Sequence, residues 1–190
     1  MGKVVVSEFV SLDGVMEAPG GEPGYRHTGW VFDYQDDEQV QHKYRECLDA
    51  GALLLGRVTY ESFAGAWPNY EGDFADRMNA IPKYVVTTTL RELAWNNSTV
   101  VSGDLTAEIT ALKQMVEGDL LVTGSRTLVH WLAANGLVDE YRLIIFPVVL
   151  GSGFRVWASA EAMQPLKLIS TTPFANGTVE LVYRVLRGAV

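Results

Sequence analysis

Residues 4–10 read Val-Val-Val-Ser-Glu-Phe-Val, a run rich in β-branched residues interrupted by Ser7 and Glu8, and predict a buried strand. Ser11-Leu12-Asp13-Gly14 follows as a turn signal. Residues 17–30 carry Pro19, Gly20, Gly21, Pro23, Gly24 and Gly29. A loop of this length is uncommon in a compact domain and often functional. Its Tyr25, Arg26, His27 and Trp30 fit a cover over a substrate. Between residues 36 and 50, Val40, Tyr44, Cys47 and Leu48 recur at helical spacing, and Gly51 is the stop.

Strands and helices then alternate. Residues 52–55 form a short apolar strand that runs into a helix start at Gly56-Arg57-Val58-Thr59, and Trp67-Pro68 ends that helix. Residues 83–89 and 99–102 predict two strands. Leu105, Ile109, Leu112 and Val116 form a helical stripe stopped by Gly118. A strand over 120–123, a helix over 125–134 closed by Asn135-Gly136, and a long strand over 138–149 come next. The last two strands, 166–172 and 178–186, are joined through Asn176-Gly177, a strong hairpin signal. This order predicts an α/β fold with a mainly parallel central sheet flanked by helices and an antiparallel C-terminal β-hairpin. No repeat, low-complexity segment or linker divides residues 1–190, so one domain is expected.

Charge and composition narrow the partners. The 190 residues carry a formal net charge of −8, which disfavours a nucleic-acid surface. An anionic ligand would need local arginines and backbone N–H groups at helix N-termini. The single cysteine, Cys47, permits no intrachain disulfide and fits a reducing cytoplasm. No signal peptide or apolar run of about 18 residues is seen, so no membrane contact is expected. The histidines make no metal-binding constellation, and hydrolase and Walker motifs are missing.

In open α/β sheets, ligands sit beyond the carboxyl ends of the strands. Three such ends stand out. At Gly56-Arg57-x-Thr59, free N–H groups and a guanidinium would bind a phosphate; a plain strand-to-helix turn with a solvated arginine is the alternative. At Gly124-Ser125-Arg126, a second phosphate site competes with simple capping of the helix by Ser125. At Thr87-Thr88-Thr89, hydroxyls and Arg91 would meet a ribose phosphate, unless the threonines reflect strand propensity or a turn cap. Asp13, just past the first strand, would orient or protonate a substrate, or belong to an ordinary Asp-Gly turn.

The chain resembles the reductase domain of the bifunctional riboflavin-biosynthesis deaminase–reductase. The resemblance rests on Ser11-Leu12-Asp13-Gly14, Leu55-Gly56-Arg57-x-Thr59-Tyr60-Glu61, Lys83-Tyr84-Val85-Val86 and Gly124-Ser125. Gly136-Leu137-Val138-Asp139-Glu140 and Pro147-Val148-Val149-Leu150-Gly151-Ser152-Gly153 complete it and are the most specific stretches. It implies a dihydrofolate-reductase-like fold and hydride transfer from NADPH, with NADH as the other possibility. It places Gly56, Arg57 and Thr59 at the cofactor phosphates, and Thr87 and Thr88 near the adenosine ribose. Gly124, Ser125 and Arg126 come beneath the pyrophosphate, Asp13 at the substrate-side acid, and Leu150 and Gly151 in a loop near the nicotinamide or substrate. Many relatives carry an arginine where this chain has Thr88, the deaminase half is missing, and residues 17–30 have no counterpart in the riboflavin enzyme.

The expectation is an NAD(P)H-dependent reductase of a small pterin-like or ribosylaminopyrimidine-like heterocycle, or of a carbonyl compound. Trp30 or Phe146 would stack on that substrate, and Asp13 would bind or protonate it. The other reading is a non-catalytic nucleotide- or heterocycle-binding dimer. A homodimer would use the apolar Leu143-Ile144-Ile145-Phe146 strand and Leu181-Val182-Tyr183.

Overall fold

A computed structural model describes residues 2–34, 36–157 and 163–187. The elements are β1 (Val4–Ser11), α1 (Asp37–Asp49), β2 (Ala50–Gly56), α2 (Arg57–Ala66), α3 (Asp73–Ala80), β3 (Lys83–Val86), β4 (Ser98–Val101), α4 (Leu105–Met115), β5 (Asp119–Val122), α5 (Arg126–Ala134), β6 (Glu140–Phe146), β7 (Leu166–Pro173) and β8 (Val179–Val185). One sheet runs in the order β4-β3-β2-β5-β1-β6-β8-β7. Its pairs are parallel from β4 to β6, and β8 runs antiparallel to both β6 and β7. The predicted α/β class, with its C-terminal hairpin, is therefore the observed one.

The parallel strands read as unbroken apolar runs because both of their faces are covered. Successive side chains of a strand point to opposite faces. Val4 and Val6 pack with Leu54, Leu120 and Val122 beneath α4 and α5. Val5 packs with Leu53, Leu55 and Leu121 against Cys47 of α1, Tyr60 of α2 and Met78 of α3. A third cluster, with Val15, Trp30, Ile144, Phe146 and Phe174, lies where residues 17–30 fold back on β6.

Two expectations change. In α1, Val40 and Leu48 are exposed, and the buried residues are Gln39, Glu46 and Cys47. The helix turns a polar face inward because polar partners wait there. Gln39 donates to the Thr178 hydroxyl at 2.7 Å, and Glu46 accepts from Ser7 at 2.9 Å. The long strand expected over 138–149 is shorter, and β6 lies inside the sheet between β1 and β8. Leu143, Ile144 and Phe146 are buried by their own chain, so they present no free face to a second subunit. At the hairpin end of the sheet the edge strand is β7, where Leu168 and Ile169 are exposed.

At the far side of the sheet, the wholly buried Lys83 starts β3. Its ammonium donates to the carbonyls of Asn79, Ile81 and Asn96 and lies 4.1 Å from the Trp95 ring centroid. One cation thereby ties the end of α3 to the segment leading into β4.

Candidate active site

The carboxyl ends of β2, β3, β4 and β5 open on a cleft of about 1250 Å³. Sites for one small ligand usually measure about 300–1,000 Å³, so this cleft has room for a cofactor and a substrate together. Gly56, Arg57, Thr59, Thr87, Thr88, Gly124, Ser125 and Arg126 all line it. The structure brings these eight together, and of the residues expected on the cofactor side Arg91 is the exception.

Two of the strand ends are joined to each other. Gly56 N–H donates to the Ser125 hydroxyl at 2.9 Å, and Ser125 N–H donates to the Thr59 hydroxyl at 2.7 Å. Ser125 therefore does not cap α5. It sits in the left-handed region at φ 55°, and its side chain makes no bond to its own helix. Gly124, at φ 63°, is held there by crowding, because a Cβ would come within 2.9 Å of Thr59. Gly56 differs. Its φ is −81°, and a Cβ would meet Ser125 at an ordinary 3.6 Å. Packing does not require a glycine at position 56.

The helix starts at the cleft are electrostatically distinct. α1 and α4 are capped by Asp36 and Asp104, and α1, α3 and α4 all carry acidic residues in their first turns. α2 and α5 have neither a side-chain cap nor an acidic first-turn residue. They carry Arg57 and Arg126 instead. Arg57 pairs with Glu61 at 2.7 Å, and the Arg126 guanidinium stacks 3.3 Å above the Phe154 ring centroid. The positive helix ends are thus left open toward the cleft. At the end of β3, the Thr87 hydroxyl accepts from the N–H groups of Thr89 and Leu90 and serves the turn, while Thr88 is exposed. Arg91 does not line the cleft.

The substrate side departs from expectation. Asp13, Trp30, Phe146, Leu150 and Gly151 do not line the cleft. Asp13 instead clasps the chain after β6, accepting from Ser11 Oγ at 2.7 Å, Leu150 N at 3.1 Å and Gly151 N at 2.9 Å. With the Ser11 bond as the largest cause, these contacts hold its carboxyl down to about 2. Such an acid stays ionised and is spent on the loop. Trp30 and Phe146 pack edge to face at 5.2 Å inside the third cluster, and Phe146 is wholly buried. Other parts of the long loop do reach the cleft: Glu17, Ala18, Pro19, Glu22 and Tyr25 line it.

The residues that replace them come from β1 and α1. Glu8, Phe9, Lys43 and Glu46 line the cleft. The Lys43 ammonium bonds to both Ser7 and Glu46. Burial pushes the Glu46 carboxyl up, but Lys43 and Arg142 outweigh it and hold the group below the ordinary carboxylate range. Burial instead raises Glu8 well above that range, against the opposing pull of Gly124 N–H and Lys43. Two buried carboxyls in one site are therefore driven in opposite directions, a pattern that separates proton-holding from charge-holding groups. Sequence carried a signal for this pair. Ser7 and Glu8 break an apolar strand, and Gln39, Lys43 and Glu46 recur at helical spacing in α1.

This sheet order, with a cleft across the carboxyl ends of its strands, belongs to the dihydrofolate-reductase-like α/β class. A crystal structure of a Shewanella sp. PV-4 protein named for riboflavin biosynthesis superposes with a TM-score of 0.79 at 18% identity, covering 98% of this chain and 100% of that one. A dihydrofolate reductase from Enterococcus faecalis, complexed with NADP(H), superposes with a TM-score of 0.64 at 14% identity, covering 97% and 96%. The profile of the RibD C-terminal domain matches residues 2–180, and the chain belongs to that family. The Bacillus subtilis protein YyaP is similar over 186 residues at 26% identity, covering 95% of this chain and 94% of its own.

Proposed function

We propose that the protein is an NADPH-dependent reductase, with residues 1–190 acting as one domain. The observation that carries this reading is the pair of open helix starts. α2 and α5 face one cleft, each without a side-chain cap or first-turn acid and each with an arginine. A dinucleotide needs two anion subsites close together, and the bonds among Gly56, Ser125 and Thr59 hold these two side by side.

In this reading Gly56, Arg57, Thr59, Gly124, Ser125 and Arg126 bind the phosphates, and Thr87 and Thr88 lie along the adenosine ribose. When bound, NADPH supplies a hydride. The chain's own residues bind and orient the reactants. The ion pair of Lys43 and Glu46, beside Phe9, offers a substrate heterocycle a planar ring neighbour, a cation and an acceptor. The substrate class is a small electron-poor heterocycle or carbonyl compound. The homodimer belongs to the same proposal, with β7 rather than β6 as the contact edge.

Titration with NADPH, followed by nicotinamide fluorescence, tests the reading. Saturable binding that weakens in Arg57→Ala and Arg126→Ala is expected. No binding at millimolar NADPH overturns it.

A further inference from the structure

Glu8 sits between Val6 and Val10 on one face of β1, a strand whose other residues are apolar except Ser7 and Ser11. Register explains its partner. Val6 lies opposite Val122 in β5, so Glu8, two residues on, comes level with Gly124. Gly124 N–H donates to Glu8 Oε2 at 2.9 Å. The other oxygen, Oε1, is a buried side-chain atom with no hydrogen-bond partner among the described residues. A buried polar atom left unbonded is costly, so natural chains rarely keep one without a use for it. Holding the Gly124 turn needs a single acceptor and does not explain the second oxygen.

The surroundings decide which form of the acid fits. Lys43 and Glu46 of α1 are the charged groups that act on it, and they oppose each other. Lys43 is moreover committed to Glu46 and Ser7. Arg57 and Arg126 stand on the first turns of α2 and α5, and Glu17 and Glu22 on the loop after β1. No cation bonds Glu8 among the described residues. An ionised Glu8 would put a negative charge directly behind the Gly124 turn, where α5 opens for an anion. A neutral Glu8 would accept from Gly124 through Oε2 and keep an O–H donor on Oε1.

We propose that Glu8 is a neutral carboxylic acid at neutral pH, that its Oε1 hydroxyl donates to the ligand held at the Gly124 turn, and that an anionic dinucleotide binds only to this protonated form. The inference takes the identity of its ligand from the reductase reading. Ionisation of Glu8 at rising pH then weakens binding, by up to about tenfold per pH unit once the group titrates in the free protein.

Glu8→Gln separates the possibilities, because its amide accepts through oxygen and donates through nitrogen at any pH. Infrared spectroscopy of the ligand-free protein at neutral pH should show a protonated-carboxyl band that Glu8→Gln lacks. NADPH titrations across pH should show affinity falling with pH in the wild type and flat in Glu8→Gln, with Glu8→Ala weak throughout. A missing carboxyl band overturns the proposal whatever the cofactor does. The same pH slope in wild type and Glu8→Gln overturns the coupling and leaves the reductase reading standing. A protein that shows the band but binds NADPH at no pH overturns the reductase reading and the coupling with it.

Discussion

Gly56 N–H donates to the Ser125 hydroxyl at 2.9 Å, joining the starts of two helices that are 69 residues apart in sequence. The bond takes Ser125 away from its own helix and leaves α5 open at its N-terminus. A residue that reads as a cap becomes a strut between two strand ends. The arrangement positions two helix dipoles on one cleft without using the N–H groups of their first turns.

The two glycines at these starts should separate binding from folding. Gly56→Ala should fold with unchanged stability, because its φ is ordinary and its Cβ meets nothing closer than 3.6 Å. NADPH affinity should fall, since the methyl group packs on Ser125 and Leu128, which line the cleft at the proposed phosphate turn. Gly124→Ala should lose at least about 1–2 kcal/mol, because alanine is strained at positive φ and the new Cβ crowds Thr59. Chemical denaturation and NADPH titration of both variants check the contrast.

Thr88 should set the preference between the two nicotinamide cofactors. It is exposed at the carboxyl end of β3 and lines the cleft. A guanidinium there would pair with a ribose 2′-phosphate, which only NADPH carries. Thr88→Arg should therefore raise the NADPH-to-NADH affinity ratio by on the order of tenfold, the scale of one charge-assisted hydrogen bond. Parallel titrations with both cofactors measure the ratio.

Asp13 should behave as a loop clasp. Asp13→Asn should lower thermal stability near neutral pH and leave NADPH affinity unchanged. The sign follows from the depressed pKa: the ionised acid stabilises the fold above its ordinary value of 3.8, and this contribution disappears as pH falls toward about 2. The gap in Tm between wild type and variant should therefore close over that window. A loss of cofactor binding in Asp13→Asn would contradict the assignment.

Lys83 should be a stability residue with no part in binding. Lys83→Met preserves much of the volume but strips three carbonyls of their donor. The cost should be at least about 1–3 kcal/mol. Burial lowers the lysine from 10.5 to about 8. The unfolded chain then binds more protons between those values, so wild-type stability should gain from this group as pH rises through the window. Lys83→Met should lack that gain, as read from denaturant midpoints across pH.

Much of the proposed cofactor side was legible because it is local. A strand end, a glycine and a helix start are consecutive in sequence, and each of the three appears in the structure as a lining element of one cleft. The substrate side was not legible in the same way. Asp13 and Trp30 looked available because they follow a strand and sit in a long loop. Their partners, Leu150, Gly151 and Phe146, lie more than a hundred residues away and are brought in by the β1–β6 pairing. Conversely, the inward polar face of α1 was hidden by a weak apolar stripe, of which Val40 and Leu48 are exposed and only Cys47 is buried in the core.

By itself, the sequence determined the α/β alternation, the hairpin and the places where phosphate-binding turns were possible, because periodicity and turn chemistry act over a few residues. Only the tertiary structure decided which of those turns meet, that Ser125 braces Gly56 instead of capping its helix, and that Glu8 rather than Asp13 lines the cleft. Those outcomes depend on strand order and register, which place Glu8 level with Gly124 and bury the carboxyl that interrupts β1.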